Sequence, residues 1–139
     1  MTKIETPRFT LQDVLTATGG TLVQSGRADA FDGVSTDSRS LAAGSLFVPL
    51  AGPRFDGHDY LGQAAGAGAA GVLVGRGREN LVKGLPAGTA AVSVPDTLRA
   101  LGDLARLWRF RFAIPVVGVT GSTGKTTTKE MAAAIMGRE

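Results

Sequence analysis

Residues 116–131 read VVGVTGSTGKTTTKEM. A β-branched apolar run enters a loop of small residues, the loop ends Gly-Lys-Thr, and a helix-forming run follows. Gly121 and Gly124 permit positive φ and close backbone approach. A strand–loop–helix unit of this kind turns the N–H groups of the loop and of the first helical turn onto one point, which suits phosphate oxygens. Gly121, Ser122, Thr123, Gly124, Lys125, Thr126 and Thr127 are therefore the candidate nucleotide-binding residues. Lys125 is also the candidate catalytic residue, as a charge for the β- and γ-phosphates, and the Thr126 hydroxyl is the candidate Mg²⁺ ligand. The spacing here is G-x-x-G-K-T. In the commoner G-x-x-x-x-G-K-[ST] pattern the first glycine would stand where this chain has Val119. The competing reading of so short a loop is a plain strand-to-helix turn. The order of strand, loop, lysine, three threonines and helix favours phosphate.

Upstream, Phe9, Leu11, Val14 and Leu15 keep roughly helical spacing up to Gly19-Gly20. Strands are expected at 21–23, 33–36, 46–50, 72–74, 91–94 and 116–120. Pro49 cannot donate to a ladder, so the third of these needs an edge or an irregularity there. Helices are expected at 60–69, from Asp96 or Thr97 with a stripe of Leu98, Leu101, Leu104, Ala105 and Trp108, and at 126–136. The segment 75–88 reads as irregular. Strands alternating with helices predict an α/β layered domain with a mixed or parallel sheet. The arginine-rich helix ends near Arg111, and Pro115 blocks its continuation. Residues 1–112 are thus expected to form one domain. Residues 113–139 would be the first strand–loop–helix of a second, truncated ATP-binding domain, with unpaired strand edges and exposed valines because its sheet neighbours are not in this sequence.

Composition narrows the function classes. The chain has 139 residues, 43% of them hydrophobic and 19% charged, which fits a packed core. Its 20 glycines are about twice the usual share, and small residues crowd 64–71, as close helix–sheet packing requires. The net charge of +3 is spread along the chain, except for Arg99, Arg106, Arg109 and Arg111. Those four read as the solvated face of a helix, so no nucleic-acid partner is expected; mild basicity suits a small anionic substrate. No run of about 18 apolar residues predicts membrane insertion. The chain has no cysteine, and the start MTKIETPRF lacks a signal-peptide core, so a cytoplasmic location is expected.

Two stretches together carry a resemblance. GVTGSTGKTTTKEM resembles the ATP-binding loop of the Mur ligases, the ATP-dependent amide-forming enzymes of peptidoglycan synthesis. STDSRSLAAGSLFVPLAGPRFDGHDYL resembles the N-terminal UDP-sugar-binding domain of two branches of that family. One branch adds the third residue of the peptide stem, and the other adds the terminal D-alanyl-D-alanine. Lys129-Glu130-Met131 after the threonines, and the short segment 108–116, favour the dipeptide-adding branch. The resemblance implies ATP and Mg²⁺ as cofactors, with UDP-N-acetylmuramoyl-tripeptide and D-alanyl-D-alanine as substrates. It also implies an acyl-phosphate route and a monomer when full length. The family's remaining Mg²⁺ ligands, modified lysine and amine-binding domain have no counterpart here, so an inactive N-terminal portion is expected. The alternatives are the third-residue ligase, a folate polyglutamate ligase (disfavoured by the upstream stretch) and a non-catalytic nucleotide-binding module.

Carried over by the same resemblance, the UDP-contacting positions are Thr36, Ser38, Pro53, Arg54 and Phe55. Ser38 offers a hydroxyl, Arg54 a fork of donors for a pyrophosphate, and Phe55 a flat apolar face. Thr36 and Ser38 could equally cap a turn, Arg54 be a solvated charge and Phe55 a core residue. Pro53, Arg54 and Phe55 differ from the residues expected in the relative, which favours backbone contact there. Asp37 and Arg39, which flank Ser38, could pair with each other or with neighbours; Asp37 is expected to be structural, and His58 to order its loop by hydrogen bonding rather than act as a base. A lone histidine with no cysteine argues against zinc.

Overall fold

The computed structural model describes residues 6–137. Strand β1 (Arg8–Thr10) pairs antiparallel with β3 (Ala30–Asp32) as a small separate sheet. Helix α1 (Leu11–Thr18) starts at Thr10 with a reciprocal cap: the Thr10 hydroxyl accepts from Asp13 N (3.0 Å), and Thr10 N donates to Asp13 Oδ2 (2.8 Å). Gly19, at φ 63°, ends the helix in the left-handed region. Phe9 therefore leaves the helical pattern in which its spacing placed it. It sits in β1, 2% exposed, because the cap at Thr10 fixes where the helix begins.

The main sheet has five strands: β2 (Thr21–Gln24), β4 (Val34–Ser35), β5 (Leu46–Phe47), β6 (Gly71–Gly75) and β7 (Ala90–Val94). Their order is β2-β7-β6-β5-β4; β2 runs antiparallel to β7 and the other neighbours are parallel. The sheet is thus mixed, as expected. Alternate residues of β5, β6 and β7 face opposite layers. Leu46, Leu73, Val92 and Val94 pack with Val14 of α1 and with Ala100 and Leu104 of α3 (Thr97–Phe110). Phe47, Val72, Val74 and Ala91 pack with Leu61 and Ala64 of α2 (Leu61–Gly66) and with Val82. Strands covered on both faces explain why VLV reads as an unbroken apolar run and AVSV as one interrupted only by Ser93, whose hydroxyl donates to Glu79 Oε1 (2.7 Å).

Several expectations are corrected. The helix expected over 60–69 is a single 3-10 turn at Gly57–Tyr60 followed by the short α2. The irregular 75–88 segment contains another 3-10 turn, Glu79–Gly84, which buries Val82. In α3 the Asp96 carboxylate caps by accepting from Arg99 N (2.8 Å), but Leu98 is 65% exposed and Ala105 is exposed. The buried face runs through Thr97, Ala100 and Leu104, a 3–4 spacing that turns residues 98 and 105 outward. The ladder ends at Phe47, so Pro49 lies just past it on an interior strand rather than on an edge. Nor is the arginine cluster merely a solvated face. Arg111 donates to Arg8 O (2.6 Å) and to Asp13 Oδ2 (2.8 Å), and its guanidinium lies over Phe9 and Trp108. Arg109 donates to Phe112 O and Ile114 O.

At 116–120 the expected strand is absent, while the expected exposure of its valines is observed. This stretch joins no ladder, and Val116 and Val117 are 65% and 82% exposed. An apolar sequence becomes a strand only when a neighbour takes its hydrogen bonds, and the described residues offer none beside it. Helix α4 (Lys125–Met136) likewise buries no residue.

The small-residue stretch 64–71 has a direct steric cause. A Cβ added to Gly71 would stand 2.4 Å from the ring of Phe31, which is itself fully buried. Gly71→Ala is accordingly expected to lower unfolding free energy by about 1–3 kcal/mol in urea titrations. By hydrogen exchange, amides 72–74 should be protected and amides 116–120 should exchange at near-unfolded rates, since the first are in a ladder and the second are not.

Candidate functional site

The parallel strands β4, β5 and β6 all end on the same edge of the sheet, and the loops that follow them meet there. In open sheets this carboxyl edge is where ligands are held. A pocket of about 460 Å³ opens between the first two loops, lined by Thr36, Asp37, Ser38, Arg39, Phe47, Phe55, Gly57 and Tyr60.

The turn after β4 is set by local bonds. Asp37 N donates to Ser35 Oγ (3.2 Å), and the Ser35 hydroxyl donates to Asp37 O (3.1 Å). The Asp37 carboxylate accepts from Arg39 N (2.9 Å), from Arg39 Nε (2.9 Å) and from Arg39 Nη2 (2.8 Å). The Arg39 guanidinium holds the Asp37 carboxyl down at about 2. Ser38 is buried, and its hydroxyl donates to Gln63 Oε1 of α2 (3.1 Å).

The loop after β5 is folded back on itself. Gly52 N donates to Phe55 O and Gly57 N to Leu50 O, both 2.8 Å. A Cβ on Gly57 would come 2.7 Å from Leu50 N, so only glycine fits that crossing. Asp56 then caps the 57–60 turn by accepting from His58 N (3.0 Å). His58 is 6% exposed; its Nε2 accepts from Gly75 N at the end of β6 (3.0 Å), which places the proton on Nδ1, facing Asp56 Oδ1 (2.7 Å). Arg78, in the loop after β6, pairs with Asp56 as well. The bond from His58 N, with the Arg78 pairing after it, holds the Asp56 carboxyl well below the usual carboxylate range. His58 therefore orders the loop, with both ring nitrogens committed, and is not placed as a base.

Of the sequence-derived UDP positions, Thr36, Ser38 and Phe55 lie on the pocket wall, whereas Pro53 and Arg54 sit at the loop tip and do not line it. Phe55 is 59% exposed rather than core, its ring lying against Gly52. Phe47, Gly57 and Tyr60 were not singled out by the sequence, and Arg39 was read only as a partner for Asp37, which it is. Arg39 follows directly on Ser38, and Tyr60 is a lone tyrosine two residues after the lone histidine; that adjacency was the available signal.

The phosphate-loop residues are arranged separately. Gly121 (φ 149°) and Gly124 (φ 78°) both use conformations that favour glycine. Gly124 caps α4 without any side-chain bond, and the first backbone bond closing the helix runs from Thr128 N to Gly124 O, leaving the N–H groups of residues 125–127 open. Lys125 Nζ donates to Gly121 O, folding across the loop. Lys125, Thr126 and Lys129 line a groove of about 300 Å³ with Val117 and Val119. Ser122, Thr123 and Thr127 are exposed around it. No group of three His, Cys, Asp or Glu able to hold a metal occurs among the described residues.

The Asp56 carboxylate generates a pH prediction. A carboxyl held lower in the folded than in the unfolded state adds stability above the ordinary carboxylate range and loses it as pH falls through and below about 4. Asp56→Asn should flatten that acid limb in denaturation measured against pH. His58→Ala should leave Gly75 N–H unsatisfied and lower stability by about 1–3 kcal/mol at neutral pH.

The family described as "Mur ligase family, catalytic domain" matches residues 30–109, more than half the chain; the match contains the pocket and stops before the phosphate loop. The UDP-N-acetylmuramoyl-tripeptide–D-alanyl-D-alanine ligase of Synechocystis sp. is 50% identical over 103 residues, covering 74% of this chain and 22% of the relative. That of Treponema pallidum is 41% identical over 133 residues, covering 91% and 29%. The UDP-N-acetylmuramoyl-L-alanyl-D-glutamate–2,6-diaminopimelate ligase of Gloeobacter violaceus is 39% identical over 104 residues, covering 71% of this chain and 20% of the relative. Among solved structures, the Acinetobacter baumannii UDP-N-acetylmuramoylalanyl-D-glutamyl-2,6-diaminopimelate–D-alanyl-D-alanyl ligase superposes with TM-score 0.81 at 33% identity, over 99% of this chain and 30% of that one. The Thermotoga maritima MurF ligase, solved with ADP, gives 0.61 at 31% identity over 76% of this chain and 23% of that one. The chain thus spans 20% to 30% of the length of these relatives. With a family match over more than half its residues and a fold shared along almost its whole length, the chain belongs to the Mur ligase family.

Proposed function

We propose that this chain supplies the UDP-holding and ATP-phosphate-holding parts of the cytoplasmic ligase that joins D-alanyl-D-alanine to UDP-N-acetylmuramoyl-tripeptide. The observation that carries the reading is a pocket at the carboxyl edge of the sheet, built by the Thr36–Arg39 turn and the Phe55–Tyr60 loop, in a chain that also bears a phosphate loop. Residues 1–112 hold the UDP end of the substrate, and 113–139 begin the ATP-binding unit. The relatives' names support this branch, and their length implies that the complete reaction needs residues in addition to these.

ATP, when bound, supplies the phosphoryl group that converts the peptide carboxylate into an acyl phosphate open to attack by the dipeptide amine. The residues present fit the triphosphate: three open N–H groups at 125–127, two glycines that let the loop close around an anion, and a lysine beside them. Lys125 leaves Gly121 O to hold the transferring phosphate, and Thr126 offers its hydroxyl to Mg²⁺. Because Mg²⁺ keeps several waters and leans on substrate phosphates, a single protein hydroxyl here is in keeping with its chemistry. Thr36, Ser38 and Phe55 contact the uridine end through the pocket; Pro53 and Arg54, off its wall at the loop tip, are assigned no contact.

The 39% identity to the diaminopimelate ligase keeps third-residue addition as a second reading. Turnover of a full-length protein carrying this sequence, with D-alanyl-D-alanine or diaminopimelate as amine, separates the two; use of diaminopimelate alone overturns the first. In the same assay Lys125→Ala should lower kcat about 100- to 1,000-fold with the fold intact. A variant keeping more than about a tenth of the rate removes Lys125 from the mechanism, as that loss is only ~1.4 kcal/mol of barrier.

A further inference from the structure

We infer that Arg39, rather than Arg54, is the side chain that grips the diphosphate of the uridine ligand, and that Asp37 is the residue that aims it. The inference rests on the uridine-diphosphate reading of the pocket and adds a residue to it. Among the described residues Arg39 is the only cation on the pocket wall, whereas Arg54 lies off it. A guanidinium has five N–H donors in a rigid plane. Asp37 takes two of them, at Nε and Nη2, from one edge, and the Arg39 side chain stays 80% exposed. The other three donors have no protein partner among the described residues, and they form the fork that matches phosphate oxygens.

Asp37 is itself fixed, since its carboxylate also accepts from Arg39 N and its backbone is tied to Ser35. The guanidinium is therefore oriented before any ligand arrives, which reduces the ordering that binding requires. Asp37 on the inner edge offsets the charge of Arg39 without occupying its outer edge. Phe55 and Tyr60, 59% and 46% exposed on the same wall, offer flat apolar surface for a base. The pocket thus divides into an aromatic part, indifferent to phosphate, and a cationic part that should distinguish uridine diphosphate from uridine.

The test is calorimetric titration of the chain with UDP and, separately, with uridine. The wild type should bind UDP more tightly. Arg39→Ala should weaken UDP about tenfold or more while leaving uridine affinity within about twofold, a split that a merely structural arginine would not produce. Arg39→Lys keeps the charge but not the fork and should recover only part of the loss. It also decides the matter should the alanine variant fail to fold, because UDP affinity equal to wild type would overturn the inference. Equal loss for both ligands in Arg39→Ala, or loss of the discrimination in Arg54→Ala instead, would also overturn it. A wild type that binds both ligands equally overturns the role of Arg39 alone. A wild type that binds neither overturns the uridine-diphosphate reading, and this inference with it.

Discussion

His58 is buried between an acceptor and a donor that use its two nitrogens differently. Asp56 takes the proton on Nδ1, and Gly75 N–H needs the lone pair on Nε2. Meeting both demands ties the loop after β5 to the end of β6, and Arg78 adds a second tie from the next loop. Without these bonds residues 51–60 would be a surface loop with two small hairpin bonds of its own. With them, Phe55, Gly57 and Tyr60 are held as a wall opposite the Thr36–Arg39 turn. The pocket depends on this constraint more than on any apolar contact across it. Most of its wall is exposed or polar; Phe47 and the buried Ser38, bonded to Gln63 of α2, anchor one side to the buried layers, and the buried Gly57–His58 turn anchors the other.

The rest of the domain serves to hold that edge still. β5, β6 and β7 are covered on both faces, which fixes the register of the strands whose ends carry the loops. Gly71 lets β6 pass close over Phe31, and Arg111 fastens the end of α3 to β1 and α1. Past Phe112 the packing stops. The candidate phosphate loop has glycine conformations at Gly121 and Gly124, yet residues 116–120 form no strand and α4 buries nothing. Residues up to Phe112 are therefore organised by tertiary contacts, and residues 113–137 by local sequence alone.

This division explains what could be read from the residues. The apolar runs at 72–74 and 91–94 announced strands because both their faces are buried. Asp96 announced a helix start because a cap is a local bond, and His58 could be assigned an ordering role because a single imidazole amid turn formers has few others. Phe9 was misplaced because its partners, Phe31 and Trp108, are remote in sequence and no periodicity reports them. The 116–120 run read as a strand because sequence records an apolar face and not whether a neighbour is there to cover it. At the pocket the two segments were legible, and Thr36, Ser38 and Phe55 do lie on its wall, but which arginine joins them was not. Which arginine reaches the wall is decided by the turn at Ser35 and the crossing at Gly57, and neither leaves a mark in composition.

The proposed site for the uridine end of the ligand is the carboxyl edge of β4 and β5. Amide chemical-shift mapping of the chain with UDP tests it most directly. The account predicts that the largest changes fall at residues 36–39 and 55–60, with a smaller response at Gly75 relayed through His58. Changes confined to 121–127, or spread without a maximum at those two segments, would contradict it.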